Sequence, residues 1–160
     1  MKDTIITGLG AMGIECTGEQ ADALVRYAGL LTGRNRVMNL TAITEPDEIA
    51  RLHFLDSAAC LKLIPEEEAS LVDVGTGAGF PGLVLKILRP SLRVTLLDSQ
   101  MKRVGFLREV CSELGIDGVD CVQARAEEAG RTVLRESFDY AASRAVARMD
   151  MLSELCVPLV

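Results

Sequence analysis

The sequence predicts an α/β fold: a parallel-type sheet with helices on both faces and an N-terminal helical cap. Three observations carry that expectation. The apolar run Leu71 to Val74 breaks into alternating glycines and restarts as a helix. A second run, Arg93 to Leu97, delivers Asp98 at a spacing of 23 residues from Gly75. Beyond it strand and helix patterns keep alternating, and that alternation builds a parallel sheet through right-handed crossovers.

The 160 residues, 49% of them hydrophobic, suit one domain, with N-terminal helices over 1–65 and the sheet-forming core over 70–160. The longest uncharged apolar stretch, Val74 to Leu85, is the glycine loop itself and falls short of the ~18 residues of a membrane span. Met1 to Ile14 carries Asp3 and three glycines and makes a poor signal peptide, so a cytoplasmic protein is expected. Five cysteines without a C-x-x-C pair read as reduced, mostly buried hydrophobes, and with a single histidine no metal site is expected. A net charge of −6 argues against general nucleic-acid binding and leaves room for a local basic face. A monomer is expected.

Taken in order, Thr17-Gly18-Glu19-Gln20 is a capping-box start. Ala21, Leu24, Val25, Ala28 and Leu31 follow at helical spacing, and Gly33 is the expected stop. A second helix should open at Thr44, with Pro46 and Asp47 in its first turn, and run towards Lys62. His53 and Asp56 then share a helix face, either as a surface hydrogen bond or as a pair that orients a base, moves a proton or binds phosphate through a charged imidazole. After the strand ending at Val74, a helix is predicted over Gly82 to Leu88, with Pro81 at its start. Another follows Asp98, from about Gln100 to Leu114 with Gly115 as its stop. Lys102 and Arg103 stand in its first turn, where the helix dipole disfavours cations; that placement is either functional or a solvated face. Val119 to Gln123 makes a third strand, followed by Ala126-Glu127, and Phe138 to Ser143 a fourth, followed by Arg144.

The glycine loop can be read in two registers. Gly77-x-Gly79-x-x-Gly82 matches a dinucleotide pattern, which alone is weak evidence. Asp73-x-Gly75-x-Gly77-x-Gly79 resembles the first motif of Rossmann-like methyltransferases that use S-adenosylmethionine. A bare strand-to-helix turn is the third reading. Asp98 sits near the ~20-residue spacing at which doubly wound folds place a ribose-binding carboxylate, and a helix cap is its other reading. Since ligands of such sheets lie outside the carboxyl ends of the strands, Gly75 to Phe80, Asp98, Ala126-Glu127 and Arg144 are all expected at one crevice.

A wider resemblance rests on Asn39-Leu40-Thr41, His53-x-x-Asp56-Ser57, Asp73 through Gly82 with its Gly79-Phe80-Pro81-Gly82 ending, Leu97-Asp98-Ser99, Lys102-Arg103-x-x-Phe106-Leu107 and Ser143-Arg144-Ala145. Together these resemble the bacterial small-subunit ribosomal RNA methyltransferase G family, also called glucose-inhibited division protein B, over about residues 15 to 150. The resemblance implies a Rossmann-like class I methyltransferase fold and methyl transfer from S-adenosylmethionine to N7 of one guanosine in 16S ribosomal RNA. It implies Gly75, Gly77, Gly79 and Phe80 as loop contacts to the cofactor, Ala126 and Glu127 beside the adenine, and Arg144 after the fourth strand. The expected partner is 16S ribosomal RNA or the small ribosomal subunit, met by a cationic rim of Lys102, Arg103 and Arg144 and by His53. Family members usually continue past Val160 into further strands, so the chain reads as lacking C-terminal strands of the sheet.

The residues can be tested against that chemistry directly. Guanine N7 is an in-plane lone pair with no proton to lose. The fourth strand is followed by Ser143-Arg144-Ala145, neither the Asn/Asp-Pro-Pro-aromatic motif of exocyclic amine methylation nor the Pro-Cys nucleophile of cytosine C5 methylation. No catalytic acid or base is assigned, and catalysis would rest on proximity and alignment. Two rivals stay open: a nicotinamide-dependent oxidoreductase using the Gly77-x-Gly79-x-x-Gly82 register, and a non-catalytic nucleotide-binding or assembly module.

Overall fold

A computed structural model describes residues 1–160. Strands β1 (Ser70–Val74), β2 (Arg93–Asp98), β3 (Val119–Gln123) and β4 (Tyr140–Ala142) form one parallel sheet in the order β3-β2-β1-β4. Apolar runs on the central strands suit burial on both faces. Val74 is level with Leu97, and Asp98 with Gln123, so the carboxyl ends of β1, β2 and β3 make one edge. The order reverses at β1, whose neighbours are β2 and β4, and that switch point opens a crevice at the strand ends.

β4 is shorter than the expected Phe138 to Ser143. Polar side chains take over on both sides of it. The Asp139 carboxylate accepts from the backbone N–H and the hydroxyl of Ser70 (2.8 and 2.7 Å), and the Ser143 hydroxyl donates to Val74 O (2.8 Å).

Helix α1 (Lys2–Ala11), which lacks a start signal in the sequence, lays Ile5 and Leu9 into the core. Helix α2 (Gly18–Met38) begins with the expected capping box: the Gln20 N–H donates to Thr17 Oγ1 (3.2 Å) and the Thr17 N–H to Gln20 Oε1 (2.9 Å). The Gln20 amide also donates to Ile87 O and Leu88 O at 3.0 Å each. Those carbonyls end the helix that follows β1 and have no intrahelical partner, so one side chain both starts α2 and docks it. The expected stop at Gly33 is a correction. α2 continues to Met38 and ends at Asn39 in the left-handed conformation (φ 49°). A mid-helix glycine costs only about 1 kcal/mol, and the turns beyond it are tied by the Arg34–Glu109 ion pair (2.7 Å) to the later helix that carries Glu109 and by the Asn35 side chain to the Thr41 backbone.

The second predicted helix is the larger departure. In place of one α-helix from Thr44 there is α3 (Pro46–Ile49), a π-helical turn (Ala50–Leu55), α4 (Asp56–Ala58) and a 3₁₀ turn (Ala59–Leu63), with no side-chain cap at Thr44. The wide turn buries His53 and Phe54 together. Helices α5 (Gly82–Leu88) and α6 (Met101–Leu114) occupy the expected positions, and Gly115 closes α6 at φ 63°. They cover the same face of the sheet as the N-terminal helices, around the main core. Between β3 and β4 the expected helix shrinks to one turn, α7 (Ala126–Ala129). With α8 (Met149–Cys156) and a 3₁₀ turn (Val157–Leu159), it covers the other face over a small cluster of Val72, Val74, Leu97, Ala129 and Leu159. The five cysteines are free and only partly buried, because each packs at the margin of a core. No helix is long and apolar enough to cross a membrane, and no three His, Cys, Asp or Glu side chains gather in a way that could hold a metal ion.

Two glycines test this packing in opposite directions. A Cβ on Gly82 would fall 2.7 Å from Leu96 Cδ2 and 2.8 Å from Asp73 Cβ, whereas one on Gly105, inside α6, would meet nothing within 4 Å. By urea denaturation Gly82→Ala should lose about 1–3 kcal/mol or more, and Gly105→Ala should gain about 0.5–1 kcal/mol.

Candidate functional site

The glycine loop is tied at both ends by one carboxylate. Asp73, wholly buried at the heart of β1, accepts at Oδ2 from the Thr76 hydroxyl and from the Gly82 N–H, both at 2.7 Å. The Gly75 and Thr76 N–H groups donate to Leu97 O (2.8 and 3.1 Å), which presses the loop over the end of β2. Gly75, Gly77 and Gly79 all have positive φ (66°, 62° and 104°). At Gly79 space adds to conformation, since the Tyr27 hydroxyl occupies the place a Cβ would take.

Asp98, only 3% exposed, closes the loop from β2. Its Oδ2 accepts from the Gly77 N–H (2.9 Å) and its Oδ1 from the Gln100 N–H (2.9 Å), with Arg103 Nη1 3.6 Å away. Asp98 bonds the Gln100 N–H just ahead of α6 and also lines the crevice; the helix-cap reading is corrected, since the N-cap of α6 is Gln100 and carries no side-chain cap. That crevice, about 180 Å³, is lined by Gly75, Asp98, Ala126 and Glu127, as expected of four of the candidates. Val146 and Leu155, which the sequence did not single out, close it from the chain after β4. Val146 Cγ2 stands 2.5 Å from where a Cβ on Gly75 would be. A larger groove of about 920 Å³ lies among α2, α5 and the Gly115–Gly118 turn. It opens at the amino ends of the strands, away from every group just described.

Phe80, Arg144 and His53 assemble next to the crevice instead of within its lining. Phe80 precedes Pro81 through a cis peptide bond, and its ring lies between Tyr27 (centroids 5.5 Å apart) and His53 (4.4 Å, planes 9° apart). The Arg144 guanidinium sits 5.1 Å from the Phe80 centroid and donates to Leu52 O (3.0 Å), Asp56 Oδ2 (3.1 Å) and His53 Nδ1 (2.7 Å). Arginine cannot accept a hydrogen bond, so Nδ1 carries the imidazole lone pair and Nε2 carries the proton, donating to Thr41 Oγ1 (2.8 Å). Burial first, and then the Arg144 charge, lower the His53 pKa to about 4. The expectation that His53 binds phosphate as a cation is therefore corrected: at neutral pH it is uncharged, and both ring nitrogens are engaged. Ring stacking also turns Phe80 inward, so what it can offer a ligand is the backbone it fixes. Lys102 is exposed on the first turn of α6, Arg103 is half-buried beside Asp98, and Arg144 is held inward by three acceptors. The expected three-residue rim is thus reduced at its Arg144 end.

Comparison with known proteins follows the same lines. Residues 20–160 match the family described as rRNA small subunit methyltransferase G. The ribosomal RNA small subunit methyltransferase G of Alkaliphilus oremlandii is 46% identical over 162 residues, covering 100% of this chain and 68% of that protein. That of Alkaliphilus metalliredigens is 48% identical over 155 residues (96% and 65%), and that of Clostridium botulinum Eklund 17B 49% over 151 residues (93% and 63%). The chain spans about two thirds of the length of these curated relatives. Among solved structures, a caffeoyl-CoA O-methyltransferase candidate from Staphylococcus aureus aligns with a TM-score of 0.58 at 15% identity, covering 82% of this chain and 60% of that one. A protein-L-isoaspartate O-methyltransferase candidate from Plasmodium falciparum aligns at 0.57 and 17% (97% and 78%). These two share the class I methyltransferase fold with this chain.

Two buried groups oppose each other in their pH dependence. Desolvation raises Asp73 to about 6, and His53 is lowered to about 4. For Asp73 the folded state holds its proton more tightly than the unfolded chain does, so its stability contribution is present below the ordinary carboxylate range and lost as pH rises through 6. For His53 the contribution is present above its ordinary value and lost as pH falls through 4. The slopes, at most ~1.4 kcal/mol per pH unit each, have opposite signs. Urea denaturation of Asp73→Asn should show stability climbing between pH 4 and about 6.5, and that of His53→Gln stability falling between pH 4 and about 6, with the parent flatter than either.

Proposed function

Because the chain belongs to the rRNA small subunit methyltransferase G family, we propose that it transfers a methyl group from S-adenosylmethionine to N7 of a specific guanosine in 16S ribosomal RNA. The observation that carries this reading is the meeting of Gly75, Asp98, Ala126 and Glu127, from three strand ends, in one crevice. S-adenosylmethionine, when bound, supplies an electrophilic methyl group on a sulfonium.

The residues fit such a ligand. The Asp98 carboxylate has accepted two backbone N–H bonds and retains lone pairs for ribose hydroxyls. Gly75, Gly77 and Gly79 carry no side chain to hold off the amino-acid portion, and Ala126 and Glu127 would flank the adenine. Admitting the whole molecule requires Val146 to move off Gly75, since ligand pockets are usually ~300 Å³ or larger. Nothing in the site needs to act as a base. Guanine N7 loses no proton on methylation, and the His53 lone pair is already occupied by Arg144. Rate enhancement then comes from aligning N7 with the methyl group. Arg144, fixed by Leu52 O, Asp56 and His53, holds the segment after β4 against the loop. Lys102 and Arg103 would meet phosphates of the RNA, the protein acting as a cytoplasmic monomer on 16S ribosomal RNA or the small subunit.

Parallel calorimetric titrations with S-adenosylmethionine and NAD separate this reading from the oxidoreductase and from a module that binds neither. Asp98→Asn should weaken S-adenosylmethionine binding by roughly ten- to a hundredfold while the chain stays folded. With a labelled methyl group and 16S RNA or small subunits, nucleoside digestion should return 7-methylguanosine; label in another nucleoside would refute the N7 assignment. Lys102→Ala should reduce RNA affinity and flatten its salt dependence while leaving cofactor affinity in place, and adding Arg103→Ala, which also removes the cation beside Asp98, should lower RNA affinity further.

A further inference from the structure

We propose that Tyr27, on helix α2 of the N-terminal cap, is a positioning residue for the cofactor loop. The inference rests on the cofactor reading above and extends it to a residue 51 positions away from the loop in sequence. Tyr27 is wholly buried, and its hydroxyl donates to Ala78 O. No backbone N–H donates to that carbonyl. The Ala78 carbonyl and the Gly79 N–H belong to one planar peptide unit. Tyr27 holds one side of this plane, and Thr76 O holds the other by accepting from the Gly79 N–H at 2.9 Å. The orientation of the Ala78–Gly79 peptide is thereby set from the loop on one side and from the N-terminal cap on the other. Burial pushes the phenol pKa well above its usual range, so the hydroxyl keeps its proton at any working pH. The same ring stacks on Phe80 and, at 5.7 Å, on Phe54. One side chain of the cap therefore fixes the backbone of Ala78 and the ring of Phe80 together. Asp73 restrains the loop only at Thr76 and Gly82; between them Asp98 holds the Gly77 N–H and Thr76 O the Gly79 N–H, and Tyr27 supplies the restraint on the Ala78 carbonyl.

The test compares Tyr27→Phe, which keeps the ring and removes the donor, with Leu31→Ala, one turn further along α2 and also wholly buried. Calorimetry with S-adenosylmethionine should find Tyr27→Phe about tenfold weaker than the parent and Leu31→Ala within about twofold of it, although both lose thermal stability. In turnover assays the same variant should raise the KM for S-adenosylmethionine and leave kcat at saturation in place. Equal affinity in Tyr27→Phe and parent would overturn the positioning role and leave the cofactor reading standing. Equal weakening in both variants would overturn it as well, reducing Tyr27 to ordinary core. A parent that binds no S-adenosylmethionine would overturn both readings. Should Tyr27→Phe fail to fold, the otherwise unaltered chain labelled with 3-fluorotyrosine has only two tyrosines, and Tyr140→Phe assigns them. The fluorine resonance of Tyr27 should shift on saturation with S-adenosylmethionine, and an unmoved resonance would refute the proposal.

Discussion

A buried carboxylate with two donors sets the geometry on which the rest of the chain builds. Asp73 lies in the central strand without solvent, and its Oδ1 has no partner at all, so its charge is costly there. What it secures is local and exact in register: one oxygen gathers the hydroxyl of Thr76 and the N–H of Gly82, the two residues between which the loop must leave the sheet and enter α5. The strand, the loop and the first turn of the helix become a single unit. Only then do the Leu97 carbonyl and Asp98 have a fixed partner to grip from the neighbouring strand.

The N-terminal helices are joined to that unit by aromatic stacking and by an arginine from the opposite end of the chain. Tyr27, Phe80 and His53 stack in sequence, and Arg144 covers Phe80 while holding His53, Asp56 and Leu52 O. Contacts that span β4, the loop and the cap in this way couple elements that are remote in sequence. Loosening any one of them frees groups on the other two, and such neighbours do not behave additively.

Much of this was legible in the sequence where the determinants are local. Strands β1 to β3, helices α5 and α6, the capping box at Thr17 and the αL stop at Gly115 follow from periodicity and end signals within a few residues. Asp98 and the loop glycines were legible because a strand end fixes where its last carboxylate points. Other features depend on what lies across the fold. The α2 stop falls at Asn39 and not at Gly33; beyond Gly33, Arg34 reaches Glu109 on α6 and Asn35 bonds the Thr41 backbone, contacts that no local signal announces. The shortening of β4 follows from Ser70, Asp139 and Ser143 reaching across to the sheet. Val146 and Tyr27 have no motif of their own, and their roles arise from the glycines they touch.

The π-helical turn at Ala50–Leu55 closes its hydrogen bonds over one more residue than the α-helix on either side of it. Through it Leu52 O, His53 and Asp56 all reach a single guanidinium. Each residue of an α-helix advances the side chains by about 100°, so losing one residue here would restore a regular helix and swing His53 out of the stack by roughly that angle. Over these six positions length matters as well as side-chain identity: a substitution at exposed Arg51 changes a surface, whereas a single-codon deletion nearby would take the Leu52 carbonyl and His53 away from Arg144 and leave α2 docked through Gln20 and Tyr27.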